Sequence, residues 1–178
     1  MAALHWQKIY NLPINSIRIF NAYGERSRTA SSYGAVFGVF LKQKLEGKPF
    51  TVVGDGSQSR DFLYVSDITR AFLKVAKAQR AGEIYNLGAG KPQSIKRLVQ
   101  LIGGDVVYIP ERPGEPAHTW ADIRKIRSHL NWEPLVSFEE GVQKMMACIG
   151  DWEAAPLWDP VSIENATESW FKFLDKEK

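Results

Sequence analysis

Apolar residues along this chain gather in short runs, parted by glycine, proline and polar loops, and the runs alternate between helical and extended character. Residues 2–11 have helical character and stop at Leu12-Pro13, because proline disfavours the α conformation of the residue before it. Residues 16–20, with Ile17, Ile19 and Phe20 around Arg18, form a β-prone run that passes into the loop Asn21-Ala22-Tyr23-Gly24. Residues 33–46, after a polar loop holding Arg26, Arg28 and Ser32, carry Val36, Phe37, Val39, Phe40, Leu41 and Leu45, a largely buried helix ended by Gly47. Residues 50–53 and 62–65 read as strands flanking the turn Gly54-Asp55-Gly56. Ser66 and Asp67 suit the cap of a helix in which Ile68, Ala71, Phe72, Val75 and Ala76 recur at helical spacing.

The alternation continues with a strand at residues 83–87 closed by Gly88-Ala89-Gly90, then a helix capped by Ser94 and stopped by Gly103-Gly104. Residues 106–109 are a strand entering the proline-rich loop 110–116, and helices are expected over 122–130 and 137–149. Beyond Gly150, Pro160 suits the first turn of a helix through about Leu174. Trp152, Trp158 and Trp170 make this tail too aromatic for a disordered segment. The expected class is α/β.

Composition narrows the function classes. With 178 residues, 44% of them hydrophobic, the chain can bury the core of one domain, with or without an appendage. The net charge of +3 is spread over 23 basic and 20 acidic residues without a run of like charge, so nucleic acid is not an expected partner. A single cysteine, Cys148, excludes an internal disulfide framework, and its neighbours Val142, Met145, Met146 and Ile149 mark it as a core thiol. His5, His118 and His129 lack metal-ligand spacing. No apolar run nears the ~18 residues needed to span a bilayer, and residues 1–13 lack the features of a signal peptide, so a cytoplasmic chain without a membrane partner is expected.

The candidate chemistry concerns anions. Arg60 follows the glycine turn and precedes an apolar run, which puts a planar guanidinium at a strand edge where it suits a phosphate; a surface pairing with Asp55 or Asp61 is the alternative. Arg112 and Glu115 share the loop Pro110-Glu111-Arg112-Pro113-Gly114-Glu115-Pro116, whose three prolines lower the entropy cost of presenting a cation and a carboxylate together; it also reads as a rigid connection. Asn21 ends a strand with an amide able to donate to a phosphate or to turn the chain locally, and Tyr23 and Tyr33 are similarly ambiguous. Asp61 and Asp67 have no partner in the sequence that would make them bases. Gly88-Ala89-Gly90-Lys91-Pro92 and Gly54-Asp55-Gly56 both lack the third glycine of a dinucleotide loop. No tyrosine has a lysine four positions later.

The order and spacing of these motifs carry more than any one of them. Arg18-Ile19-Phe20-Asn21-Ala22-Tyr23-Gly24, Gly47-Lys48-Pro49-Phe50, Gly54-Asp55-Gly56, Arg60-Asp61-Phe62, Val65-Ser66-Asp67, Tyr85-Asn86-Leu87-Gly88 and Arg112-Pro113-Gly114-Glu115 together resemble the nucleotide-sugar epimerases and dehydratases of the extended short-chain dehydrogenase/reductase family. The likeness runs from about residue 8 to 148. It implies that Asn21, Arg60 and Arg112 contact the sugar diphosphate, that Thr51 and Val53 frame the base, that Glu115 takes the ribose, and that Phe20 lies near the sugar and the nicotinamide of NAD.

The same resemblance implies an α/β substrate-binding subdomain joined to the last strands of an incomplete Rossmann-type parallel sheet. Residues 1–24 and the strand 83–87 would belong to the NAD-domain sheet, residues 25–150 to the substrate region, and 151–178 to an aromatic helical extension. The NAD loop and the Tyr/Lys pair of that family are not in this sequence, so the expectation is a chain that binds a nucleotide sugar, is inactive alone, and associates as a homo-oligomer or with a missing N-terminal half. Besides a truncated form or partial gene product, a stand-alone non-catalytic binding module and one half of a split enzyme fit the motifs.

Overall fold

The computed structural model describes residues 2–27 and 36–174. In chain order these form helix α1 (Ala2–Tyr10), strands β1 (Ser16–Ile19) and β2 (Ala22–Tyr23), helix α2 (Val36–Leu45), strands β3 (Phe50–Val53), β4 (Ser59–Arg60) and β5 (Leu63–Tyr64), and helix α3 (Val65–Lys77). Then follow β6 (Ile84–Leu87), β7 (Gln93–Ser94), α4 (Ile95–Ile102), β8 (Val106–Ile109), α5 (Arg124–Leu130), α6 (Phe138–Ala147), a 3₁₀ turn (Ile149–Trp152) and α7 (Pro160–Leu174). The class is mixed α/β. Among the described residues no helix is long and apolar enough to cross a membrane. Tyr33, at the expected start of α2, lies outside the described residues, as do Arg28 and Ser32.

Among the described residues three of the four strand pairings are parallel: β1 with β6, β2 with β5, and β3 with β8. Parallel partners must be joined by a crossover, and helices supply it in each case. The glycine turn after β3 is therefore not a hairpin. Gly54 (φ 56°) and Gly56 (φ 75°) reverse the chain tightly, but the segment that leaves pairs as β4 with β7, antiparallel, while β5 goes to β2. The expected strand at 62–65 is short because Phe62 turns into the core and Val65 already opens α3.

Capping departs from expectation in one place. Ser94 caps α4 by accepting from the Arg97 amide at 3.1 Å, as its position suggests. Asp67, in contrast, lies inside the first turn of α3, where Tyr64 is the N-cap residue, and Ser66 does not cap either. The Asp67 carboxylate is spent on distant backbone, accepting from the Leu135 and Val136 amides at 3.0 Å each and from Arg70 at 2.7 Å. It ties the segment before α6 to α3. Helix α5 likewise begins two residues late, since Asp122 holds the Arg124 amide and guanidinium, which lowers its own pKa to about 2.

Two apolar clusters flank β5. One gathers Tyr23, Phe37, Phe40, Phe50, Phe62, Leu98, Met145 and Trp152; the other gathers Leu63, Ala71, Tyr85, Leu87, Ile126 and Trp132. Tyr64 faces the first and Leu63 the second, as alternation along a strand requires. Tyr23 is the hub of the aromatic side, stacked on Phe37 at 4.4 Å and edge-on to Phe62, Tyr64 and Phe138. Cys148 is half-buried beside this cluster, and burial raises its thiol pKa. The tail is part of the fold: the Trp152 ring is in the first core, and Ile163 and Thr167 of α7 are buried.

Candidate functional site

A cavity of about 330 Å³ opens where β1 ends, between α2, β3 and the loop after β8. Asn21, Thr51, Val53, Arg60, Arg112 and Glu115, spread over almost a hundred positions, all line it. Phe20 does not. Its side chain packs against the second apolar cluster beside Ile17 and Leu130. The cavity walls also include residues that the motifs did not mark, among them Gln58, Ile95, Thr119 and Ile163. Gln58 could have been suspected from its place behind the glycine turn; nothing local singles out Thr119.

Each polar group is placed by specific backbone features. Arg60 sits in β4, and its Nη1 donates to the carbonyls of Ser59 (2.9 Å) and Pro116 (2.8 Å) while Nη2 donates to Glu115 Oε1 at 2.6 Å. Its partner is thus neither Asp55, which pairs with Lys96 at 3.1 Å, nor Asp61. Arg112 Nη1 lies 3.7 Å from the other oxygen, Oε2, of the same Glu115. Two guanidinium groups therefore share one carboxylate. Arg60, Arg112 and Glu115 are the charged residues among the described residues lining the cavity, together one net positive charge.

That cluster is incomplete as it stands. Arg112 Nε and Glu115 Oε2 are buried and have no hydrogen-bond partner among the described residues. A buried polar atom left unpaired costs about 1–3 kcal/mol, so a ligand offering an acceptor to the arginine and a donor to the glutamate recovers that cost. The apolar walls Val36, Phe37, Val39, Phe40 and Ile95 lower the local dielectric and strengthen both interactions.

Behind the lining residues Thr119 and Asn21 lies Asp61, which is fully buried. Its carboxylate accepts from the Ala89 amide (2.8 Å), the Gly90 amide (3.0 Å) and the Ala121 amide (2.9 Å). Its own amide donates to Thr119 Oγ1 at 3.3 Å, and the Thr119 hydroxyl in turn donates to Asn21 Oδ1 at 2.9 Å. Asp61 is a brace and not a base. The loop Gly88-Ala89-Gly90 spends two amides on Asp61, and an amide of the Gly54-Asp55-Gly56 turn closes on Val53 O at 3.3 Å. Neither glycine pair forms a dinucleotide cradle, so the described residues do not fit NAD by themselves.

Behind the lining residue Thr51, buried Gln43 of α2 donates to Thr51 Oγ1 (2.8 Å) and to the Trp158 carbonyl (2.6 Å), and accepts from the Thr51 amide at 3.2 Å. Below the aromatic hub, the Tyr64 hydroxyl donates to Glu25 in a short hydrogen bond. This bond is the largest cause of a lowered Glu25 pKa, while burial first and Glu25 second push the Tyr64 hydroxyl upward.

Comparison with known proteins places this architecture. Residues 1–88 match the NAD dependent epimerase/dehydratase family. The UDP-glucuronate 4-epimerase of Thermodesulfobacterium geofontis is 39% identical over 147 residues, covering 78% of this chain and 44% of the relative. The crystal structure of UDP-glucuronic acid 4-epimerase from Bacillus cereus, in complex with UDP-glucuronic acid and NAD, superposes with a TM-score of 0.74 at 33% identity over 83% of this chain and 48% of that one. A dTDP-glucose 4,6-dehydratase structure from Bacillus anthracis, in complex with NAD, covers 98% of this chain and 51% of its own, with a TM-score of 0.71 at 27% identity. The fold is thus of the Rossmann type found in epimerases and dehydratases. The chain belongs to the NAD dependent epimerase/dehydratase family, and it spans about half the length of the relatives it matches.

Proposed function

We propose that this chain is the substrate-binding portion of an NAD-dependent nucleotide-sugar epimerase or dehydratase of the UDP-glucose 4-epimerase type, and that its cavity holds the nucleoside diphosphate. The observation that carries the reading is a pair of buried atoms without a hydrogen bond among the described residues: Arg112 Nε lacks an acceptor, and Glu115 Oε2, 3.7 Å from Arg112 Nη1, lacks a donor at hydrogen-bond distance. A phosphate oxygen and a ribose hydroxyl supply one each. Arg60 holds Glu115 in place and adds charge, Asn21 reaches the diphosphate, and Thr51 and Val53 flank the base. Phe20 would meet the sugar and the nicotinamide from the end of β1. NAD supplies the hydride chemistry in the whole enzyme, held by residues beyond those described; this chain binds and orients the substrate and is inactive alone.

In this reading residues 1–24 and the strand at 83–87 belong to the cofactor half's sheet, residues 25–150 to the substrate region and 151–178 to an extension. The parallel pairing of β1 with β6 supports that division. Trp6, Ile9 and Tyr10 of α1 are exposed, which supports association with a second copy or with the cofactor-bearing half, to be checked by light scattering. The lone thiol suits a cytoplasmic setting.

Titration of the 178-residue chain with UDP-glucose, UDP and uridine, followed by NMR, tests the reading. Shifts in the cavity residues that need the phosphates, and that in Arg112→Gln appear only at markedly higher UDP concentration, are expected. Equal response to uridine and UDP would sink it, and so would turnover of UDP-sugar by the purified chain. In a second reading the chain is a stand-alone binding module, and the same cavity serves binding alone. Tight binding without turnover would select it.

A further inference from the structure

Helix α7 lies outside every motif, yet one of its faces runs along the site. Ile163, Thr167, Trp170 and Leu174 follow one another at helical spacing. Ile163 is a wall of the cavity. Two turns on, the Trp170 indole Nε1 donates to the Pro113 carbonyl at 2.6 Å, inside the loop that carries Arg112 and Glu115. At the helix end the Leu174 side chain stands at contact distance, 3.9 Å, from where a Cβ on Gly114 would be. The segment leading into α7 is fastened beside Thr51, since Gln43 holds both the Trp158 carbonyl and Thr51. Residues 158–170 are therefore tied at one end to Thr51 through Gln43 and at the other to the arginine loop, with Ile163 in the cavity wall between.

We propose that α7 is a positioning element of the nucleoside diphosphate site, with Trp170 as the positioning residue for the Arg112–Glu115 loop and Ile163 as the contact that shapes the nucleoside end. The inference rests on the proposed nucleotide reading. Its physical basis is the loop itself. Gly114 has φ 77° and the Glu115 amide reaches back to the Arg112 carbonyl at 3.2 Å, so the loop is a tight turn whose outward carbonyl, Pro113, has Trp170 as its donor. Rotation of that peptide would carry Arg112 and Glu115 away from Arg60. Trp170 opposes the rotation without touching the ligand.

A double-mutant cycle on the full chain tests this, with UDP and uridine as probes and NMR titration as the readout. Trp170→Phe keeps an aromatic ring, smaller than the indole, and removes the donor. It is expected to weaken UDP about three- to tenfold, the worth of one hydrogen bond, with little change for uridine. On an Arg112→Gln background the same substitution should weaken UDP no further. Ile163→Phe, a second variant that intrudes on the wall, should weaken UDP and uridine alike.

Unchanged UDP affinity in Trp170→Phe, or an equal loss with and without Arg112, overturns the positioning role while leaving the nucleotide reading intact. Unchanged uridine and UDP affinity in Ile163→Phe overturns the wall. Failure of the unsubstituted chain to respond to UDP overturns the nucleotide reading, and this inference with it.

Discussion

The Thr119 hydroxyl donates to Asn21 Oδ1 at 2.9 Å across 98 positions of sequence. With its oxygen engaged there, the Asn21 amide has its nitrogen left to donate, which is the polarity an anionic ligand needs. Thr119→Val removes the hydroxyl and lets the amide take either orientation. UDP binding, read by NMR titration, should weaken about three- to tenfold in Thr119→Val and return in Thr119→Ser. Equal losses in both variants would show that the hydroxyl is not what matters.

Asp61 is the brace beneath that pair, and its worth is thermodynamic. Asp61→Asn turns one carboxylate oxygen into an NH2 group, which meets either the Ala89 and Gly90 amides or the Gly90 and Ala121 amides, donor against donor. Urea unfolding should register a loss on the order of 3 kcal/mol, since the bonds given up are charge-assisted and buried. Gly88→Ala attacks the same spot by volume, because a Cβ there would stand 2.5 Å from Asp61 Oδ2 and 2.5 Å from the Ala121 Cβ. A loss of about 1–3 kcal/mol is expected from the overpacking.

The Tyr64–Glu25 hydrogen bond makes a pH-dependent contribution with a definite sign. Because the Glu25 pKa is lowered in the folded chain, chiefly by the Tyr64 hydroxyl, its stabilisation is present above the ordinary glutamate pKa and is lost as pH falls through the folded value. Tyr64→Phe should move Glu25 back toward the usual carboxylate range. Carboxyl-carbon NMR titration of both proteins would detect this, and an unmoved Glu25 would refute it.

Cys148 should be a sluggish nucleophile. Burial, then the charges of Asp151 and Glu25, raise its thiol pKa, so little thiolate exists at neutral pH. Reaction with a disulfide reagent should be slow at pH 7 and accelerate as pH rises past 9. Fast labelling at pH 7 would mean that the thiol is open to solvent.

The residues lining the cavity were legible in the sequence where a motif joins a charge to a turn. Arg60 behind two glycines, and Arg112 and Glu115 between prolines, announce themselves because the backbone around them is restricted. Long-range partners were hidden. Nothing near Arg60 reveals Glu115 as its partner, and Asp67 has the local signature of a cap while its carboxylate serves backbone almost seventy residues away. The Gly54-Asp55-Gly56 turn misleads for a related reason: tight reversal is a local property, but which strands then pair depends on the crossovers. Ile163 and Trp170 were readable as faces of a helix and not as parts of a site, because only the tertiary fold brings α7 across the loop.

The parallel pairings have a kinetic consequence. Ser16 meets Ile84 and Phe50 meets Val106, so loops of many tens of residues must close before either ladder forms. Such topology folds slowly, and the cavity, built from residues as far apart as Asn21 and Ile163, comes into being only when the last of these closures is made. A ligand that fits it thus has nothing to grip in the partly folded chain. It acts as a brake on unfolding and leaves the folding rate alone, so cells rich in that ligand would hold the protein longer without producing it any faster.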